Sequence, residues 1–128
     1  MAYGDSRGLQ ITGLLAGANL SAKQYYWVKA ASTAGEVVAV SATTDVAIGI
    51  LQNAPEDGQA ADVQSVGVSK LVAGSTAVTF GALVGWNAEG QANVRTQTGS
   101  RYAAQALEAS SADGDIITVS LVGFSRGA

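Results

Sequence analysis

The pattern of apolar and polar positions along this chain is typical of short β-strands. Between Ile117 and Leu121, apolar side chains alternate with Thr118 and Ser120, as in a strand with one buried face. Turn residues recur about every 8 to 12 positions, which is the spacing of strands in a β-sandwich or barrel. The predicted strands are Tyr25–Lys29, Glu36–Val40, Val46–Gln52, Ala60–Val72, Ala82–Trp86, Gln91–Arg95, Tyr102–Glu108 and Asp115–Val122.

Two Asp-Gly pairs mark the sharpest turns. Glycine adopts a positive φ without steric cost, so Asp57 with Gly58 and Asp113 with Gly114 are predicted to form hairpin turns. No helix longer than a turn or two is expected, and residues 79–83 are the best place for one. A chain of 128 residues that is 48% hydrophobic has room for one domain with one core. The predicted fold class is all-β.

An internal repeat accompanies these turns. Residues 47–67 and 103–123 align without a gap at an offset of 56 positions, and seven of the 21 aligned residues are identical. The identities include both Asp-Gly pairs and the pair Leu51 and Leu107. We interpret the pattern as two copies of one β unit that pack together into a small barrel or sandwich. Similar turn chemistry arising independently in a sequence of low diversity is the alternative.

The first 20 residues match neither copy of the repeat. They are rich in glycine and large aliphatic residues, so we expect residues 1–20 to form an extended N-terminal arm that anchors the protein on a partner. The remaining residues, 21–128, form a single β domain with pseudo-repeats at about 24–67 and 80–123. The alternative for the arm is a further strand of the chain's own barrel. The arm's candidate interface residues are Leu9, Ile11, Leu14, Leu15 and Leu20.

Three consecutive aromatic residues, Tyr25, Tyr26 and Trp27, lie in the first predicted strand. Because successive side chains of a strand point to opposite faces, both faces of this strand carry aromatic rings. Tyr and Trp are enriched in subunit interfaces, so Tyr25 and Trp27 join the candidate interface residues. Burial under a local loop is the alternative. Trp86 and Phe80 are expected in the core or at a barrel end.

The composition removes most catalytic chemistry. The chain has no histidine and no cysteine, so the commonest general base, the thiol nucleophile and the usual zinc ligands are absent. The glycine-rich segments lack the order of a phosphate-binding loop, and the Asp-Gly runs lack the ligand spacing of a calcium loop. We therefore predict no catalytic residue, no cofactor and no metal site, and we do not expect an enzyme.

Charged residues are scarce in this sequence. They make up 13% of it, against roughly 25% in an ordinary soluble domain, so much of the surface must consist of small and uncharged residues. Little desolvation of ionic groups opposes the association of such a surface, which favours an oligomer. A net charge of −3 argues against binding driven by nucleic-acid phosphates. No apolar run has the length of a membrane span or the basic start of a secretory signal.

The order of these features resembles the capsid decoration, or capsid cement, proteins of tailed bacteriophages. The resemblance spans about residues 24–123, and its most telling part is the ending, with an A-L-E-A strand, a D-G-D turn and an alternating last strand. The first 20 residues depart from it, because they are longer and more apolar than the brief polar lead of that family. The matching segments are Val46–Leu51, Gly58–Gly67, Val72–Gly74, Gly81–Val84 and Ala104–Gly123.

This resemblance implies a β-rich protein that is made in the host cytoplasm and sits on the outer capsid surface of the virion. Its partners would be the major capsid protein and its own copies, commonly as a trimer, with no nucleic acid and no membrane. Many small contacts acting together would bridge capsid subunits and stabilise the head. Two alternatives stay open. One is another virion subunit of the tail, fibre or head-completion type, and the other is a small ligand-binding β-barrel with Trp27 or Trp86 in its pocket.

Overall fold

Strands, turns and loops make up the described part of the chain. The structure is a computed structural model that describes residues 10–94 and 101–126, with side chains described for residues 13–94 and 103–121. No helix in these residues is long and apolar enough to cross a membrane, and the all-β prediction is confirmed. The strands are β1 (Gln10–Ala16), β2 (Trp27–Ala30), β3 (Glu36–Ala39), β4 (Ala47–Leu51), β5 (Ala60–Gln64), β6 (Gly67–Val72), β7 (Leu83–Trp86), β8 (Ala92–Val94), β9 (Arg101–Ala106) and β10 (Ile116–Arg126).

The strands form two sheets, one from each half of the chain. Strands β1 to β5 close into a barrel in the order β1-β3-β2-β4-β5, and β6 to β10 form a second sheet in the order β6-β10-β9-β7-β8. The prediction of one long strand over Ala60–Val72 is wrong, because the chain passes from the barrel to the second sheet in the middle of it. Gly67, with a φ of 94°, lies at this passage and adopts a conformation that other residues rarely reach.

The described part of residues 1–20 is a barrel strand rather than an extended arm. Strand β1 pairs in parallel with β3 and antiparallel with β5, and thereby closes the barrel. Leu20, which follows the strand, is 2% exposed and packs inside the barrel. Residues 10–16 therefore form a further strand of the chain's own barrel, which is the alternative to an arm. Residues 1–9 lie outside the described residues.

Two buried clusters form the core of the described part of the chain. The smaller cluster lies inside the barrel and consists of Ala16, Leu20, Val28, Val37, Leu51, Ala61 and Val63. The larger cluster lies beneath the second sheet, but four of its buried side chains, Trp27, Val40, Ala47 and Ile50, come from the barrel. The outer wall of the barrel thus supplies part of the core of the second sheet.

The two sheets share one strand order. Starting at β3, the barrel has the order β3-β2-β4-β5-β1, and starting at β8 the second sheet has the order β8-β7-β9-β10-β6. The barrel closes through a parallel pairing that includes Ala16 with Val37. At the corresponding edge of the second sheet a single parallel bridge joins Ala73 and Ala92. The internal repeat stays a prediction, and this shared order favours it.

Both Asp-Gly pairs are turns with glycine at positive φ, 83° at Gly58 and 93° at Gly114. The N–H of Gly58 donates to the carbonyl of Ala16, and the N–H of Gly114 donates to the carbonyl of Ala73, both at 2.8 Å. Each turn therefore binds the end of a neighbouring strand. The turns lie within longer loops, between β4 and β5 and between β9 and β10, so they are not the tight two-residue hairpins that Asp-Gly predicts.

In β4 the strand pairing differs by one residue from the ungapped sequence alignment of the two predicted repeats. Leu51 pairs with Val63, whereas Val119 pairs with Ala106. The counterpart of Leu51 is therefore Ala106 and not Leu107, with which the sequence aligns it. A register irregularity between β2 and β4 accompanies this shift.

Candidate interaction surfaces

The barrel and the second sheet meet at residues 25–27, which form backbone hydrogen bonds to the second sheet. The N–H of Trp27 donates to the carbonyl of Gly90 at 2.8 Å, and the N–H of Val72 donates to the carbonyl of Tyr25 at 2.9 Å. Tyr25 has a φ of 67°, which is uncommon for a residue with a side chain. These two hydrogen bonds hold the segment between β6 and the turn that joins β7 to β8.

Trp27 is a core residue at this junction, so the prediction that it lies in an exposed interface is wrong. Its ring is 1% exposed and meets Trp86 edge to face, with centroids 5.3 Å apart and an interplanar angle of 60°. The Trp86 Nε1–H donates to the carbonyl of Asp45 at 3.1 Å. The buried Trp27 Nε1–H has no hydrogen-bond partner among the described residues. Tyr25 is half-buried and packs against the same cluster.

The aliphatic interface candidates divide between core and surface. Leu20 is buried, which corrects its assignment to a partner interface, and Leu14 is half-buried against the barrel core. Leu15 is 43% exposed. Ile11 lies in β1 but its side chain is outside the described part, and Leu9 is outside it altogether. Among the three arm candidates whose side chains are described, Leu14, Leu15 and Leu20, Leu15 is thus the exposed one.

The outer face of the second sheet carries apolar side chains that sequence reasoning missed. Leu83 lies opposite Gln105, which lies opposite Ser120, which in turn lies opposite Val68. Directly paired residues share a face of a sheet, so these four form one row across it. Leu83 is 39% exposed and Val68 is 50% exposed. The alternation of Leu83 with the buried Val84 is the sequence signal that could have found this face.

Phe80, which lies three residues before Leu83, is 75% exposed, so the prediction that it lies in the core or plugs a barrel end is wrong. It precedes Gly81, whose N–H donates to the carbonyl of Ala106 at 2.8 Å. The residue after Ala106, Leu107, is 39% exposed. We call Phe80, Leu83 and Leu107 the outer apolar patch.

The Asp45 carboxylate organises the loop between β3 and β4. Its Oδ2 accepts hydrogen bonds from the Lys29 ammonium and from the N–H groups of Ser41 and Ala42, each at 2.9 Å. The hydrogen bond from Lys29 and that from Ser41 contribute most to lowering the pKa of Asp45, from its ordinary 3.8 to about 2. This carboxylate therefore holds a loop and an ion pair together.

Asp115 repeats this arrangement in the loop before β10. Its Oδ2 accepts hydrogen bonds from the N–H groups of Ser111 and Ala112 at 2.9 and 3.0 Å. These hydrogen bonds lower the pKa of Asp115. Within the part of the chain that the structure describes, no three acidic side chains gather closely enough to hold a metal ion.

Two comparisons with known proteins were made, and one of them gives a match. A search of curated proteins finds no match to the chain. The sequence model of one family, described as phage cement protein, matches residues 21–121, from the segment before β2 into β10. Because this match covers well over half of the sequence, the chain belongs to the phage cement proteins, a family of structural proteins that stabilise the virion capsid.

Proposed function

We propose that this protein binds the outer surface of the phage head as a trimer, where it bridges neighbouring major capsid subunits. The observation that carries the proposal is the family match over residues 21–121. The low charged fraction of 13% supports it, because a partner can cover such a surface with little desolvation of ions.

The described surface suits a mechanism of many small contacts. Its exposed apolar side chains include Leu15, Val46, Val68 and Ile116, each between 43% and 54% exposed. Full burial of one side chain of this size contributes about 1.5–3 kcal/mol before ordering costs. A trimer presents each contact three times, so capsid subunits held by it separate only when all the contacts break together.

Among the residues predicted for partner contact, Leu15 and Tyr25 keep that role in the proposal. Leu15 is exposed on β1, and half-buried Tyr25 lies beside the junction of the two sheets. Leu20 and Trp27 act indirectly, by fixing the shape of the surface around them.

Binding of the purified protein to heads that lack it tests the proposal. We expect saturable binding at a fixed ratio to the major capsid protein, and decorated heads that retain their DNA at higher temperature than bare heads. Electron cryo-microscopy of decorated heads then places the density at the junctions between capsid subunits. Binding to isolated tails but not to heads would contradict the proposal and favour a tail role.

A further inference from the structure

The contact between the barrel and the second sheet joins two different surfaces. The barrel contributes the outer side of β2 and β4, where Trp27 lies opposite Ile50. The second sheet contributes Trp86 and the turn between β7 and β8, which contains Gly90. Contacts between unlike surfaces can be repeated head to tail, and they form a ring when the rotation closes. Such repetition requires that each surface has an uncovered counterpart on the other half of the chain.

The counterpart of the barrel surface is the outer face of the second sheet. Trp27 is the first residue of β2 and pairs with Ile50 of β4, and Leu83 is the first residue of β7 and pairs with Gln105 of β9. Since the two sheets share one strand order, these two pairs occupy equivalent positions. Trp27 and Ile50 are buried, whereas Leu83 and Gln105 are exposed beside the rest of the outer apolar patch.

The counterpart of the turn between β7 and β8 is the turn between β2 and β3. Gly90 and Gly35 occupy equivalent places in these turns, with φ values of 84° and 82°. Gly90 is covered, and a Cβ built there would lie 2.9 Å from the carbonyl oxygen of Trp27. Gly35 is exposed with nothing within 4 Å of such a Cβ, and its neighbours Thr33 and Ala34 are exposed as well.

The hydrogen bonds beside these two turns differ between the barrel and the second sheet. In the barrel, the N–H of Leu15 donates to the carbonyl of Gly35 at 2.9 Å. In the second sheet the groups at the equivalent edge, the Val72 N–H and the Gly90 carbonyl, bond to residues 25–27 of the barrel instead. A segment bound beside the barrel turn in the way that residues 25–27 are bound beside Gly90 would therefore replace the hydrogen bond between Leu15 and Gly35.

We propose that the outer apolar patch of one copy docks on the turn between β2 and β3 of a second copy. The subunits would then repeat the contact that already joins the two halves of each chain. The proposal rests on the trimer of the proposed function, which requires that the head-to-tail rotation closes after three chains, in a ring of six sheets. Docking buries Leu83 and Phe80, and it covers Gly35 as Trp27 covers Gly90.

The first test replaces Leu83 with a charge and follows association of the free protein by analytical ultracentrifugation. We expect Leu83→Glu to weaken self-association by about 100-fold, as expected when a central apolar anchor of an interface is lost. Val46→Glu is the control, because Val46 is 54% exposed and lies in the loop between β3 and β4, outside both the outer apolar patch and the turn between β2 and β3. Urea unfolding of both variants in dilute solution confirms that each one folds.

The second test uses engineered disulfides, since the chain has no cysteine. We expect Leu83→Cys combined with Ala34→Cys to give covalent trimers on oxidation. The control combines Leu83→Cys with Thr43→Cys, which lies beyond the opposite end of β3, and it should stay uncrosslinked. A trimer that survives Leu83→Glu and does not crosslink would overturn the docking face alone, and a monomeric wild-type protein would overturn the trimer as well. A trimer that passes both tests but does not bind heads would support the docking face and contradict the proposed function.

Discussion

The barrel and the second sheet have the same strand order but complete their cores in different ways. The barrel closes by itself through the parallel pairing of β1 with β3 and keeps a separate core inside. The equivalent edge of the second sheet has one bridge, from Ala73 to Ala92, and the barrel segment 25–27 beside it. The core of the second sheet includes Trp27 from that segment. The comparison predicts a one-way dependence, because the barrel completes the core of the second sheet, whereas the core inside the barrel has no described side chain from the second sheet.

The most direct way to break this dependence is Trp27→Ala. Removing a fully buried aromatic side chain costs about 3–5 kcal/mol, so we expect the free energy of unfolding to fall by that amount in urea titrations. Amide hydrogen exchange should accelerate in β7 and β9 before it accelerates in β1 and β5, because the cavity opens beneath the second sheet. Equal acceleration in both sheets would show that Trp27 supports them equally and would contradict the one-way dependence.

A pair of glycine substitutions sharpens the comparison at the two equivalent turns. Gly35→Ala and Gly90→Ala both place a Cβ on a backbone with positive φ, which costs about 1–2 kcal/mol in either turn. Only at Gly90 does the new Cβ also collide with the Trp27 carbonyl oxygen, so we expect Gly90→Ala to lose about 1–3 kcal/mol more. Urea unfolding in dilute solution measures this difference in the single chain. Equal losses in the two variants would mean that the covered turn adapts without strain.

The sequence predicted most strands but not the boundary between the two sheets. Alternation identifies β10 because one face of it is buried and the other is not. It misses β1, where Gly13 has a φ of 84° and the register with β5 shifts between Ile11 and Leu14, so no simple alternation persists. Because β1 was taken as an arm and β5 was joined to β6, neither predicted pseudo-repeat included the first strand of its sheet.

The candidate interface was harder to predict, because hydrophobicity does not distinguish burial within a chain from burial between chains. Trp27 was assigned to a partner surface, and the partner turned out to be the other half of the same molecule. Phe80 shows the opposite error, since a lone phenylalanine suggests a core position although this one is exposed. Strand pairing supplied the missing information, because it shows which residues share a face.

The two tryptophans provide a smaller test of the junction. Trp86→Phe removes the Nε1–H that donates to the Asp45 carbonyl, whereas Trp27→Phe removes a buried N–H with no partner among the described residues. An acceptor left without its donor costs about 1–3 kcal/mol, so we expect Trp86→Phe to be the more destabilising variant by about 1 kcal/mol. Both variants lose a similar apolar area, which makes each the control for the other. A greater loss for Trp27→Phe in urea unfolding would show that its N–H has a stabilising contact.

The smallest expected effect distinguishes the two carboxylate loops, one in each half. Both Asp45 and Asp115 accept hydrogen bonds from two backbone N–H groups, but Asp45 also accepts one from Lys29. The Asp45→Asn variant keeps an oxygen for the N–H groups and loses the ionic partner, so we expect it to cost about 1 kcal/mol at pH 6. Asp115→Asn should cost less, because it breaks no ion pair.

The pH dependence gives the sign of the same effect. Because the pKa of Asp45 is about 2 in the folded chain and ordinarily 3.8, the folded state binds fewer protons than the unfolded state between these values. The stabilisation is therefore complete above pH 3.8 and is lost as the pH falls towards 2. Urea unfolding from pH 6 to 2.5 should show a shallower acid loss for Asp45→Asn than for the wild-type protein, with Asp115→Asn in between, since the pKa of Asp115 is also lowered. An acid loss that is unchanged in Asp45→Asn would assign the pH dependence to other carboxylates and remove the ion pair as a difference between the two loops.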